Sequence, residues 1–188
     1  MLKKLVLLAA LAASCFAVTV PRPSGEVDFT VPGKGPMKLS SYQGKIVVVM
    51  VFITTCPHCQ RTTKLMSKIQ NEYRAKGVQV IQLAFRDDDN KAAIEKFVQE
   101  YKPTYPVGMI DANLLAKWGQ LTAEMRPTVP MLFFIDRHGY IVGQYMGAEP
   151  FMIEENQPNT IRAKLNDMVQ KQPPAGAKKA APAPAAKK

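Results

Sequence analysis

Two cysteines separated by two residues, Cys56 and Cys59 in the run Cys-Pro-His-Cys, are the side chains of this 188-residue chain best suited to chemistry. If the motif opens a helix, the first sulfur lies near unpaired backbone N–H groups and the positive end of the helix dipole, and both favour a thiolate. Cys56 is then the expected nucleophile. Cys59 falls one turn further in, on the same side and less exposed, where it can attack a mixed disulfide formed between Cys56 and a substrate. Between them, Pro57 suits a first helical turn. The imidazole of His58 adds donors and positive charge beside the thiolate, which stabilises the reduced form and leans toward oxidation of substrates.

Two simpler readings of the pair compete with redox work. Structural zinc needs four ligands, and outside the motif there is no second cysteine pair and only one further histidine, His138. A purely structural disulfide across two intervening residues would constrain the unfolded chain little compared with a long loop.

The motif needs a strand before it and a helix after it, and the sequence supplies both. Residues 46–53 are an apolar, mostly β-branched run, the pattern of a central strand covered on both faces in a parallel sheet. Leu65, Met66, Ile69 and Tyr73 then recur at helical spacing, and Gly77 is placed to end that helix. Residues 78–85 read as a second strand, while Ala93, Ile94, Phe97, Val98 and Tyr101 mark a second helix that Pro103 stops. This alternation is βαβ architecture. Met131–Ile135 and Tyr140–Tyr145, joined by Asp136-Arg137-His138-Gly139, form an expected antiparallel hairpin. A last helix carries Ile161, Leu165, Met168 and Val169 and is expected to start near Asn159 or Thr160. Residues 87–90, three aspartates and an asparagine, lack the spaced ligands of a calcium loop and read as a solvated helix cap, and Trp118 reads as a packing residue.

The ends carry different information. Residues 1–17 place Lys3 and Lys4 before an apolar run at 5–13 and then small residues, the layout of an export signal. The apolar run is too short to span a bilayer as a helix, which needs about 20 residues. Cleavage after Ala17 and a lipobox-like reading of Ala12-Ala13-Ser14-Cys15 both remain open, and the second would make Cys15 a lipid anchor. From Lys171 onward the chain is Lys-, Pro- and Ala-rich and is expected to be a disordered tail, leaving residues 24–170 for one folded domain. The net charge of +10 includes seven lysines at the two ends and falls to +3 without them. Nothing in the folded part resembles a nucleic-acid footprint, and no nucleic-acid partner is expected.

From about Ser24 to Val169 the chain resembles the thioredoxin-like family of TlpA and ResA type, exported bacterial thiol–disulfide oxidoreductases. The resemblance is carried by Leu39-Ser40-Ser41-Tyr42-Gln43-Gly44-Lys45, by Cys56-Pro57-His58-Cys59, by Tyr105-Pro106-Val107, and by Pro127-Thr128-Val129-Pro130 leading into Phe133-Phe134-Ile135-Asp136-Arg137-His138-Gly139. It implies an α/β thioredoxin-like fold: a central mixed sheet flanked by helices, closing with a hairpin and helix. It further implies a redox-active Cys56–Cys59 disulfide, a cis Pro130 packed against the cysteines, and a Val129 backbone that pairs with substrate. Protein thiols and disulfides are the implied substrates, a membrane thiol–disulfide partner the implied recycler, the periplasmic side or cell exterior the implied location, and no cofactor is needed.

Three departures qualify the match. Thr55 stands where a Trp usually precedes the first cysteine, and Met50 replaces the buried Asp that usually accepts the resolving thiol's proton. The Cys-Pro-His-Cys motif itself matches the oxidase DsbA, so the direction of electron flow is open. Two other functions share this fold. Peroxiredoxin-type peroxidases place a Thr where Ile53 stands, and copper chaperones of this fold space their cysteines by three residues, although His138 could in principle supply a third copper ligand.

Overall fold

The computed structural model describes residues 18–172 apart from 87 and 89. The expected signal with Cys15, and the expected tail beyond Gln172, lie outside the described residues.

Ile46–Phe52 forms strand β4, and all seven of its residues are buried. Such a run is stable only when both faces are covered, and the two faces feed two separate apolar clusters. On one face Ile46, Val48, Met50 and Phe52 pack with Met66 and Ile69 of α1 (Pro57–Tyr73), Ile94 and Phe97 of α2 (Lys91–Tyr101), and Ile161 and Leu165 of α4 (Gln157–Lys171). On the other, Val47, Val49 and Val51 pack with Leu115 and Trp118 of α3 (Ala112–Gly119) and with Phe29 and Val31 near the N-terminus. Trp118 is, as expected, a packing residue, and its indole N–H donates to the Ser24 carbonyl at 2.8 Å.

Among the described residues the sheet has eight strands, β1 (Arg22–Pro23), β2 (Asp28–Val31), β3 (Gly35–Lys38), β4, β5 (Val78–Ala84), β6 (Val107–Met109), β7 (Met131–Ile135) and β8 (Tyr140–Tyr145), in the order β1-β8-β7-β4-β5-β6-β2-β3. The centre matches the sequence reading: β4 pairs in parallel with β5, and the hairpin of β7 and β8 adds antiparallel on the other side. This is the mixed α/β sheet that the resemblance implied. The short strands β1, β2, β3 and β6 extend its edges. The phrase Tyr105-Pro106-Val107 therefore leads first into β6 and only then into α3.

Two boundaries differ from the sequence reading. Helix α4 starts at Gln157 behind Asn156, because Pro158 fits inside a first turn where no N–H is needed. It also runs through Lys171, where the tail was expected to begin. At α2 the cap is Asn90, whose side chain accepts from the Ala93 N–H at 3.1 Å.

Candidate functional site

The cysteine motif sits at the C-terminal end of β4, the end of a sheet where open α/β folds place their sites. A turn closed by the Cys56 N–H to the Ile53 carbonyl (3.1 Å) carries the chain out of the strand, and Gln60 ties the turn by donating to the Thr54 carbonyl at 3.0 Å. Cys56 then caps α1 in extended conformation, φ −79° and ψ 115°, with Pro57 in the first turn. Its sulfur accepts the Cys59 backbone N–H at 3.2 Å. The expected geometry is therefore present: one sulfur at the helix N-terminus facing a backbone donor, the other a turn inside. Both thiols are free here, Cys56 half-buried and Cys59 fully buried. Burial pushes the Cys59 thiol well above its ordinary range, and its hydrogen bond with the Cys56 sulfur adds to the effect.

Met50, at the position where an acid was missed in the sequence, is fully buried, and its neighbour across the parallel pair is Gln82. A buried polar cluster stands there. The Tyr105 hydroxyl donates to Gln82 Oε1 at 2.8 Å, Gln82 Nε2 donates to Thr63 Oγ1 at 2.9 Å, and Thr63 Oγ1 donates to the Cys59 carbonyl at 2.9 Å. Its members hold α1 onto β5 through neutral groups. None is a carboxylate, and among the described residues no Asp or Glu is buried, so no buried acid stands here beside Cys59.

The Val129–Pro130 peptide bond is cis. Met131 pairs with Val51, which places the peptide beside the end of β4 from which the cysteine turn leaves. Pro130 is buried and Val129 half-buried. Val129 also lines a mostly apolar recess of about 290 Å³ with Phe85, Leu115, Leu121, Pro127 and Met131. A cavity of about 670 Å³ between α2 and β6 contains none of the site residues.

His58, half-buried, directs Nε2 to Gln157 Nε2 at 2.9 Å, with Glu154 Oε1 at 4.0 Å. Glu154 is held by Arg61, whose Nε donates to Oε2 at 2.7 Å and whose Nη2 donates to Oε1. These partners lie nearly a hundred residues from the motif, and nothing in the local sequence signals them. Gly147 was missed for the same reason. Its N–H donates to the Thr128 carbonyl at 3.0 Å, and a Cβ at this position would stand 2.5 Å from the Val129 carbonyl oxygen. Only glycine allows the loop after β8 to lie so close to the cis peptide.

His138 is not part of this assembly. The β4–β7 register sets Met131 against Val51 and Ile135 against Val47. The turn holding His138 therefore lies at the opposite end of the sheet, roughly 15 Å away at about 3.4 Å per residue. That removes the third ligand of the copper reading. Among the described residues no group of three or more His, Cys, Asp or Glu is arranged to hold a metal.

Comparison with known proteins agrees with this geometry. The thiol-disulfide oxidoreductase ResA of Halalkalibacterium halodurans is 30% identical over 122 residues, which span 63% of this chain and 64% of that protein. The ResA of Bacillus thuringiensis subsp. konkukian is 26% identical over 113 residues, spanning 60% of this chain and 61% of that protein. The match thus covers less than two thirds of either relative. Among solved structures, a Chlorobium tepidum protein described as a thiol:disulfide interchange protein DsbE superposes with a TM-score of 0.68 at 18% identity, covering 81% of this chain and 99% of that one. A thioredoxin family thiol:disulfide interchange protein from Chlorobium tepidum TLS gives 0.63 at 20% identity, covering 79% and 99%. These two likenesses concern the fold, a thioredoxin-like one. The Redoxin family model matches residues 23–160, most of the chain and all of the elements from β2 to the turn before α4, so this chain belongs to the Redoxin family.

Proposed function

We propose that the chain is a thiol–disulfide oxidoreductase in which Cys56 is the attacking sulfur and Cys59 the resolving one. The observation that carries this reading is the Cys59 N–H to Cys56 sulfur contact at the N-terminus of α1. A thiolate on Cys56 is met there by a fixed backbone donor and the helix dipole. Cys59 is buried and kept protonated, so it is silent until a mixed disulfide forms.

In the reducing direction the Cys56 thiolate attacks one sulfur of a substrate disulfide. A new S–S bond forms, the substrate bond breaks, and its other sulfur leaves as a thiolate that takes a proton from water. Cys59 then loses its proton to solvent entering with the substrate and attacks the Cys56 sulfur. The substrate leaves as a dithiol, having gained two electrons and two protons, and the protein is left with a Cys56–Cys59 disulfide. A dithiol protein must return the two electrons. In the oxidising direction the same steps run backward.

On this reading the backbone of Val129 pairs with an extended substrate segment and the recess it shares with Phe85 and Leu121 takes an apolar side chain of that segment; the apolar lining of the recess supports it. The charge, hydropathy and small-residue pattern of residues 1–17 supports export, with Cys15 as a lipid anchor where the lipobox-like reading holds. No helix among the described residues is long and apolar enough to cross a membrane. On this reading the substrates are protein thiols or disulfides outside the cytoplasm, and the recycler is the membrane thiol–disulfide partner that the family resemblance implies.

The test is a pair of variants on the full chain. Cys59→Ser is expected to accumulate a mixed disulfide between Cys56 and a disulfide-bearing peptide, and Cys56→Ser to lose turnover. Turnover retained by Cys56→Ser would overturn the mechanism.

A further inference from the structure

Gln157, the first residue of α4, is 2% exposed, and each end of its amide has a defined partner. Its nitrogen donates to the Met152 carbonyl at 3.0 Å, an atom that can only accept. Its oxygen accepts from Thr62 Oγ1 at 3.1 Å. Reversing the amide would set two carbonyl oxygens against each other 3.0 Å apart, whereas the Thr62 hydroxyl, which accepts as readily as it donates, suits either arrangement, so the Met152 carbonyl decides. The orientation is therefore fixed by a partner other than the histidine.

With the nitrogen so placed, the second amide N–H points at His58 Nε2, 2.9 Å away. That ring nitrogen must then offer a lone pair, which puts the ring proton on Nδ1. An imidazolium, or the other tautomer, would set an N–H against an N–H in a half-buried site. The carboxylate that could favour an imidazolium, Glu154, is 4.0 Å from Nε2 and is already engaged by the bidentate guanidinium of Arg61. The other charge-bearing group on the motif is Cys56 itself.

We infer that Gln157 is a positioning residue that holds His58 as the neutral Nδ1–H imidazole. The inference rests on the oxidoreductase reading and deepens it, because it settles what the His of Cys-Pro-His-Cys does here. A histidine held neutral adds no full positive charge near the Cys56 sulfur. Thiolate stabilisation then comes chiefly from the helix N-terminus and the Cys59 N–H, and the disulfide is less oxidising than the dipeptide alone would make it. The poise leans toward reduction of substrates.

The test combines a spectrum with an equilibrium on the full chain. Long-range ¹H–¹⁵N correlation at pH 7 on histidine-labelled protein reads the tautomer. The expected pattern for His58 is a protonated Nδ1 and an unprotonated Nε2, assigned by its loss in His58→Ala. Gln157→Met removes the donor while keeping the side chain's bulk. It is expected to abolish that single-tautomer pattern and to move the glutathione equilibrium of the Cys56–Cys59 pair threefold or more toward the dithiol. In a His58→Ala background the same substitution should leave that equilibrium unmoved. Gln157→Glu, which keeps a polar group toward Thr62, serves if Gln157→Met does not fold, and is expected to put a proton on Nε2. An Nε2–H or imidazolium pattern in the unaltered chain would overturn the inference, as would an equal redox shift with and without His58. Absence of any thiol–disulfide couple would sink the oxidoreductase reading instead, and the spectra would still decide the tautomer.

Discussion

At the scale of single residues, the two cysteines differ in position and burial, not in type. Cys56 is half-buried at a helix end, and Cys59 is fully buried one turn inside. Iodoacetamide added to the reduced protein at pH 8 should therefore label Cys56 and leave Cys59 unmodified, as read by peptide mass; comparable labelling of both would contradict the assignment. The buried thiol also has a consequence for stability. An unfolded chain releases the Cys59 proton near the ordinary thiol value of 9.0, whereas the folded chain retains it above that pH. Between those limits the unfolded state binds fewer protons, so the stability of the reduced protein should fall as pH rises past about 9, by up to ~1.4 kcal/mol per pH unit. Urea unfolding of the reduced form at pH 8 and pH 10 checks this, and Cys59→Ser should flatten the difference.

Between elements, the loop from β8 to α4 holds the site in shape. The chain after β8 lies on the Val129–Pro130 peptide only because Gly147 has no side chain; a Cβ there would meet the Val129 carbonyl oxygen at 2.5 Å. Gly147→Ala should push the cis peptide away from the cysteine turn, costing ~1–3 kcal/mol of stability. It should also cut turnover on a peptide disulfide at least tenfold, while leaving the alkylation rate of Cys56 unchanged. The stacked rings of Tyr145 and Phe151, 3.7 Å apart at 7°, anchor the turn whose Met152 carbonyl orients Gln157. At the far end of the sheet Arg137 donates to the carbonyls of Gln172 (2.6 Å), Lys76 (2.7 Å) and Gly44 (2.9 Å), joining the β7–β8 turn to the end of α4, the turn before β5 and the turn before β4. Arg137→Met should lower stability by about 2–3 kcal/mol, read by urea unfolding, with turnover intact at 25 °C.

Across the whole molecule, the sequence was most legible where a single local pattern decided the outcome. Ile46–Phe52 is buried on both faces because every residue is apolar, and the β7–β8 strands end where Asp136 to Gly139 change the composition. The strands at the N-terminal edge were not legible. β2 has only four residues, and its alternation of Phe29 and Val31 with polar neighbours is too short to stand out from a loop. Gln157, Glu154 and Gly147 escaped for a different reason: each acts on a residue far away in the chain, through contacts that exist only once α4 and the loop after β8 have folded onto α1 and β7. The motif could thus be read as redox-active while the state of its histidine could not. If Cys56 and Cys59 exchange two electrons as a unit, a redox titration of the full chain against glutathione, read by alkylation and peptide mass, will register it. Both thiols should disappear together, joined to each other, with the two-electron dependence of about 30 mV per tenfold change in the ratio of reduced to oxidised protein; separate glutathione adducts on the two cysteines, or thiols that never pair, would show that they do not act as a unit.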